Sequence, residues 1–78
     1  MPGANTTQVA VGDHGIRLGQ LLKYAGVVDS GADAKSLLAD GDVLVNGEPE
    51  DRRGRQLQVG DTVEVSAADG MHRIVLTA

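Results

Sequence analysis

The chain of 78 residues contains no cysteine, no phenylalanine and no tryptophan, and Tyr24 is its single aromatic residue. Without cysteine there is no disulfide framework, no thiolate metal site and no thiol nucleophile. Without large aromatic rings the core has to be built from Val, Leu, Ile and Ala, which limits its stability. No apolar run approaches the ~20 residues that a membrane-spanning helix needs, so we expect no membrane contact.

Positive charge is also scarce, since seven Lys and Arg residues face eleven Asp and Glu residues, for a net charge of −4. Free-standing nucleic-acid-binding domains are usually basic, because phosphate neutralisation supplies much of their affinity. An RNA-binding role would therefore need a local basic patch. The lack of aromatic residues argues against a platform for base stacking, and we expect Tyr24 to be partly buried on a helix. RNA would then be recognised through its backbone and shape.

A catalytic arrangement is missing as well. The only histidines are His14 and His72, and neither stands in triad or metal-ligand spacing. No glycine-rich stretch matches a phosphate loop or a dinucleotide fingerprint. We predict a non-enzymatic protein without cofactor or metal. The lack of cysteine, and of a basic and hydrophobic start in the first eight residues, fits a cytoplasmic protein.

The residues that are present predict two short helices. The first has apolar residues at helical spacing, namely Leu18, Leu21, Leu22 and Ala25. The second begins with the capping-box pattern of Ser30 and Asp33 and ends at Gly41, which can adopt the left-handed conformation of a helix end. Its apolar stripe consists of Ala34, Leu37 and Leu38.

Alternating apolar residues predict a small sheet from strands at 43–46, 62–66 and 72–77, with another short strand at Val9 to Val11. Asn46-Gly47 is a strong hairpin signal, and Asp69-Gly70 marks a second hairpin. We expect an α+β fold with two short packed helices on a small, mostly antiparallel sheet. Residues 9–78 form the single domain in this interpretation, and residues 1–8 form a flexible N-terminal segment.

A cluster of arginines follows the Asn-Gly turn, at positions 52, 53 and 55. Guanidinium groups match phosphate oxygens bidentately, so this cluster could bind phosphates. Alternatively, the arginines neutralise three carboxylates just upstream, which are Glu48, Glu50 and Asp51. Composition alone favours the second interpretation.

Between residues 16 and 65 the sequence resembles the S4 RNA-binding domain. The shared pattern is a helix led by Ser30, a G-x-V-x-V-N-G strand and turn at 41–47, and V-G-D-x-V-x-V at 59–65. The SGADAK and EPEDRRGR stretches are most similar to small stand-alone, ribosome-associated S4-like proteins. Many S4 domains carry an arginine directly after the serine, where this chain has Gly31.

The resemblance implies an S4-like (αL motif) fold and binding of structured RNA, in particular ribosomal RNA, by a monomer that does not bind DNA. A ribosomal or other protein is a further partner to consider. The resemblance also favours the phosphate-binding interpretation of the arginines, which we expect to fold back beside the second helix, near Lys35. The candidate RNA-binding residues are Arg17, Lys23, Lys35, Arg52, Arg53 and Arg55.

Two other functions remain as alternatives. A protein-interaction module that kept the S4 scaffold but lost RNA binding would account for the negative charge and for Gly31. Residues 43–48 and 60–64 also resemble short motifs of ubiquitin-like sulfur carriers. Those carriers act through a C-terminal Gly-Gly, whereas this sequence ends in Leu-Thr-Ala. A contiguous basic surface would favour RNA, and carboxylates mixed among the basic residues would favour a protein partner.

Overall fold

The computed structural model describes residues 5–67 and 70–78, and within them it contains two α-helices and seven strands. In chain order the elements are β1 (Asn5–Ala10), β2 (Ile16–Arg17), α1 (Leu18–Tyr24), α2 (Gly31–Ala39), β3 (Val43–Val45), β4 (Glu48–Pro49), β5 (Gln56–Leu57), β6 (Thr62–Ala67) and β7 (Gly70–Thr77). One turn of 3₁₀ helix, Gly12–His14, precedes β2. The predicted α+β fold with two short helices is confirmed.

The main sheet has five strands in the order β1-β7-β6-β3-β4. Its neighbouring strands are antiparallel, except for β1 and β7, which run parallel over six residue pairs. A separate antiparallel ribbon is formed by β2 and β5. The sheet is thus mostly antiparallel, as the sequence predicts, with one parallel pair at its edge.

The first strand includes the second half of the segment at residues 1–8 that the sequence predicts to be flexible. It begins at Asn5 and pairs with β7 along its whole length, so residues 5–8 are part of the sheet. Their side chains are polar and do not alternate with apolar ones, so this stretch carries no local strand signal. Residues 1–4 lie outside the described part of the chain, and so does Asp69 of the second predicted hairpin.

The apolar core lies between the two helices and the inner face of the main sheet. Its buried members are Val9, Leu18, Leu21, Leu22, Ala34, Leu38, Val43, Val45, Leu57, Val63, Val65, Ile74 and Leu76. Most of them belong to the stripes predicted from helical and alternating spacing. Val59 continues the predicted alternation but is 49% exposed, because β5 already ends at Leu57.

Caps and turns follow the local signals in the sequence. The Ser30 hydroxyl accepts a hydrogen bond from the Asp33 N–H at 3.2 Å and caps α2. Asn46 and Gly47 both have positive φ, 52° and 85°, as a two-residue turn between antiparallel strands requires. β4 has only two residues and ends at Pro49. None of the helices in the described residues is long and apolar enough to cross a membrane.

Candidate nucleic-acid interface

A cavity of about 500 Å³ opens between α1, the start of α2 and the loop that follows β4. It is lined by Arg17, Gly19, Gln20, Lys23, Gly31, Ala34, Arg53 and Gly54. Three of these residues are cationic, and none of the described residues that line the cavity is acidic. We call this cavity the basic cleft. It brings together cations from two distant parts of the sequence.

The loop at 51–55, which we call the arginine loop, is attached to the start of α1 by backbone hydrogen bonds. The Leu18 N–H donates to the Arg55 carbonyl and the Gly19 N–H donates to the Arg53 carbonyl, both at 2.9 Å. Amides in the first turn of a helix have no partner within the helix, and here the loop supplies one. The attachment places Arg53 directly beside α1.

Close contact between loop and helix depends on Gly19. A Cβ atom at this position would lie 3.3 Å from the Cβ of Arg53, which is tighter than an ordinary van der Waals contact. Glycine therefore leaves the room that the arginine loop needs. The start of α1 is further ordered by Gln20, whose side-chain oxygen accepts a hydrogen bond from the Arg17 N–H at 3.3 Å.

The base of the arginine loop is organised by Glu50, which is buried, with 7% of its surface exposed. One carboxylate oxygen, Oε2, accepts hydrogen bonds from the backbone N–H groups of Asp51 and Arg52, both at 3.1 Å. The same oxygen accepts from Arg52 Nε at 3.0 Å. The other oxygen, Oε1, accepts from Arg55 Nη1 at 2.7 Å and from Arg52 Nη2 at 3.2 Å. A single carboxylate thus fixes both the loop backbone and two of its arginines.

These contacts keep Glu50 ionised. The side-chain hydrogen bonds from Arg52, followed by those from Arg55, lower the pKa of Glu50 from its ordinary 4.5 to about 2, although burial acts in the opposite direction. The hydrogen bonds that Arg52 donates to Glu50 also raise the pKa of Arg52. At neutral pH the base of the loop therefore holds an ionised carboxylate that offsets part of the loop's positive charge.

The structure divides the three arginines that the sequence groups together. Arg52 and Arg55 pair with Glu50, as the charge-neutralisation alternative predicts for that carboxylate. Arg53 instead lines the basic cleft together with Arg17 and Lys23. Lys35 is exposed on α2 and is not among the residues that line the cleft; that the arginines lie near Lys35 stays a prediction.

Three features of this region were missed by sequence reasoning. Gln20 lines the cleft, Glu50 organises the loop, and Tyr24 is 73% exposed at the end of α1 instead of partly buried. The exposure of Tyr24 could have been predicted from the sequence. It lies four residues after Gln20 and outside the leucine stripe of α1, so helical spacing places it on the solvent side.

Comparison with known proteins identifies the family of the chain. A family model described as S4 domain matches residues 9–75. The chain belongs to the S4 domain family. The match extends beyond the resemblance at 16–65 and includes β1 from Val9 onward and most of β7. S4 domains bind RNA, and the basic cleft is thus a cationic cavity on an RNA-binding scaffold.

A curated relative supports the same assignment. The "Probable ribosome maturation protein RlbA" of Bacillus subtilis (strain 168) is 58% identical over 50 residues, which cover 64% of this chain and 70% of that protein. The resemblance to small stand-alone S4 proteins is confirmed by this match.

Proposed function

We propose that this S4 domain is a non-catalytic module that binds structured RNA, in particular ribosomal RNA, through phosphates held in the basic cleft. The observation that carries the proposal is the convergence of Arg17, Lys23 and Arg53 on one cavity, with no acidic residue among the described residues that line it. The relative is named as a ribosome maturation protein, and this supports a ribosomal RNA partner and action in the cytoplasm.

Each cation suits a different kind of phosphate contact. The guanidinium groups of Arg17 and Arg53 can form two parallel hydrogen bonds to one phosphate, whereas the Lys23 ammonium acts as a point charge. On the side of α2 the lining of the cleft has little side-chain bulk, because Gly31 and Ala34 contribute to it. A sugar-phosphate backbone can therefore approach the start of α2 closely.

The remaining candidates extend the basic surface around the cleft. Lys35 lies one helical turn after Gly31, on the same side of α2, and is exposed. Arg52 has 71% of its side chain exposed although it pairs with Glu50. We assign Lys35, Arg52 and Arg55 to outer, weaker contacts, since two of these three charges are already partly neutralised.

The net charge of −4 is compatible with this role, because charges are screened over ~8 Å at physiological ionic strength. An RNA phosphate in the cleft is influenced mainly by the nearby cations. Glu50, the buried carboxylate at the base of the loop, has its charge compensated by Arg52 and Arg55. Carboxylates farther from the cleft than the screening length reduce the association rate more than they affect the bound state.

The test compares an arginine that lines the cleft with one that lies elsewhere on the described surface. Arg53→Gln removes a cation from the cleft, and Arg73→Gln removes one from β7, where Arg73 pairs with Glu64 at 3.2 Å. Both variants change the net charge equally. We expect Arg53→Gln to weaken binding to a structured ribosomal RNA fragment and to reduce the slope of log affinity against log salt by ~0.7–0.9, with Arg73→Gln close to the wild type.

Two results would contradict the proposal. Equal effects of Arg53→Gln and Arg73→Gln would mean that the RNA responds to overall charge and not to the cleft. A folded wild-type protein that binds no structured RNA even at low salt would lead to the protein-interaction alternative on the same S4 scaffold.

A further inference from the structure

Tyr24 is the only aromatic residue of the chain, and its exposure is unusual for so large a side chain. At 73% it is more exposed than Val59, the other large apolar residue of the described chain that lies open to solvent. Tyrosine rings generally contribute by burying their faces against other groups. In a protein whose core lacks large rings, the single ring is presented to solvent at the end of α1.

The ring adjoins the basic cleft. Gln20 and Lys23 line both the cleft and a shallower depression whose third lining residue is Tyr24. Gln20 and Tyr24 are separated by four positions and are therefore neighbours on the surface of α1. A cation, an amide and an aromatic ring thus form one continuous surface with the cleft.

Tyr24 and the cleft lie along the same short helix. α1 has seven residues, from Leu18 to Tyr24, which corresponds to a length of ~10 Å at the helical rise. Arg17 immediately precedes this helix and Lys23 immediately precedes Tyr24, and both cations line the cleft. An RNA strand whose phosphates contact Arg17 and Lys23 can therefore place a neighbouring nucleotide at Tyr24.

We infer that Tyr24 stacks on an unpaired base next to the phosphates held in the basic cleft, and that the Gln20 amide hydrogen-bonds the edge of that base. The inference rests on the proposed function and narrows its substrate class. A base inside a continuous duplex is stacked on its neighbours and offers no free face, whereas bases in loops and bulges do. The RNA partner is therefore a helix interrupted by an unpaired nucleotide.

The single tyrosine provides the measurement. Because the chain has no tryptophan and one tyrosine, its intrinsic fluorescence comes from Tyr24 alone. Two RNA hairpins are titrated, identical except that one carries a single bulged nucleotide in its stem. We expect the bulged hairpin to quench Tyr24 fluorescence and to bind about tenfold more tightly than the continuous one, since stacking of one base on an aromatic ring contributes an effect of this order.

Two variants distinguish the contribution of the aromatic ring to RNA binding from the contributions of the hydroxyl group and of apolar bulk. Tyr24→Phe keeps the ring, and the preference for the bulged hairpin should persist. Tyr24→Leu keeps apolar bulk without a ring, and the preference should disappear while the salt slope stays the same, because no phosphate contact is lost. Both variants should fold, as the side chain is exposed at a helix end.

The outcomes distinguish this inference from the proposed function. Equal binding of both hairpins without quenching, or an unchanged preference in Tyr24→Leu, would overturn the inference and leave phosphate binding in the cleft intact. If the wild type binds neither hairpin at low salt, the proposed function fails and the inference fails with it.

Discussion

The side-chain amide of Asn46 donates a hydrogen bond to the carboxylate of Asp61 across 3.0 Å, although 15 positions separate the two residues. The side-chain oxygen of Asn46 also accepts from the Thr62 N–H at 2.9 Å. Asp61 in turn accepts from the Gln58 N–H at 2.8 Å. The turn after β3 and the turn before β6 are therefore joined. The two motifs that mark the sequence as S4-like, at 41–47 and 59–65, form one structural unit.

Asn46→Gly should lower the free energy of unfolding by about 1–3 kcal/mol, because it removes two side-chain hydrogen bonds, one of them to a charged group. Glycine accepts the positive φ of 52° at this position, so the loss reports on the side chain and not on backbone strain. Urea denaturation measures the effect. In the double variant with Asp61→Ala, the loss of unfolding free energy should be smaller than the sum of the losses in the two single variants. Full additivity would show that the hydrogen bond between the two side chains contributes nothing.

The ionisation of Glu50 should make the free energy of unfolding depend on pH in the acid range. Its pKa is lowered from 4.5 to about 2 in the folded protein, so the stabilisation is fully present above pH 4.5 and is lost as the pH falls towards 2. In Glu50→Gln this part of the pH dependence should vanish, and stability at neutral pH should be lower. Urea midpoints at pH 2 to 7 provide the comparison. Parallel curves for wild type and variant would refute the assignment.

Within the arginine loop, Arg55 should contribute mainly to the stability of the fold and Arg53 mainly to the affinity for RNA. Arg55→Gln removes the shortest hydrogen bond to Glu50, at 2.7 Å, and should lower the free energy of unfolding by about 1–3 kcal/mol. Arg53→Gln leaves the Glu50 contacts and the carbonyl of residue 53 in place, so stability should change by less than ~0.5 kcal/mol while RNA binding weakens. Unfolding curves of both variants test this division. An equal loss of stability would make Arg53 a structural residue.

Gly31 offers a gain-of-function test. A Cβ atom here would lie 3.9 Å from Arg53 Nη1, an ordinary contact, so residue 31 has room for the first atom of a side chain, and Gly31→Arg adds a cation at the cleft. RNA affinity should rise and the salt slope should steepen by ~0.7–0.9. Gly31→Ala is the control, because it increases helix propensity by up to ~1 kcal/mol without adding charge. Identical affinities of the two variants would place residue 31 outside the path of the RNA.

Much of the fold could be predicted because its signals are local. Three of these features depend only on residues that are close together in the sequence: the leucine stripe of α1, the Ser30 cap and the Asn46-Gly47 turn. The strand over residues 5–8 could not be predicted, because only its pairing with β7, near the other end of the sequence, makes it a strand.

The candidate site could likewise be predicted only where it depends on local signals. Helical spacing places Arg17 and Lys23 on the outer side of α1, away from the leucine stripe. The different roles of Arg53 and Arg55 depend on where the Glu50 carboxylate lies and on the carbonyls that bind the start of α1. Those contacts arise from tertiary structure, and three arginines within four positions look alike in a sequence.

The place of β7 in the main sheet has a consequence for the way the protein folds. β7 lies between β1 and β6, although it is the last strand in chain order. Until β7 is in place, β1 has no neighbour in the sheet and the core lacks Ile74 and Leu76. Pairing of distant segments must first overcome the entropy of closing a long loop, which slows folding. The chain therefore cannot complete its core during synthesis until β7 has emerged.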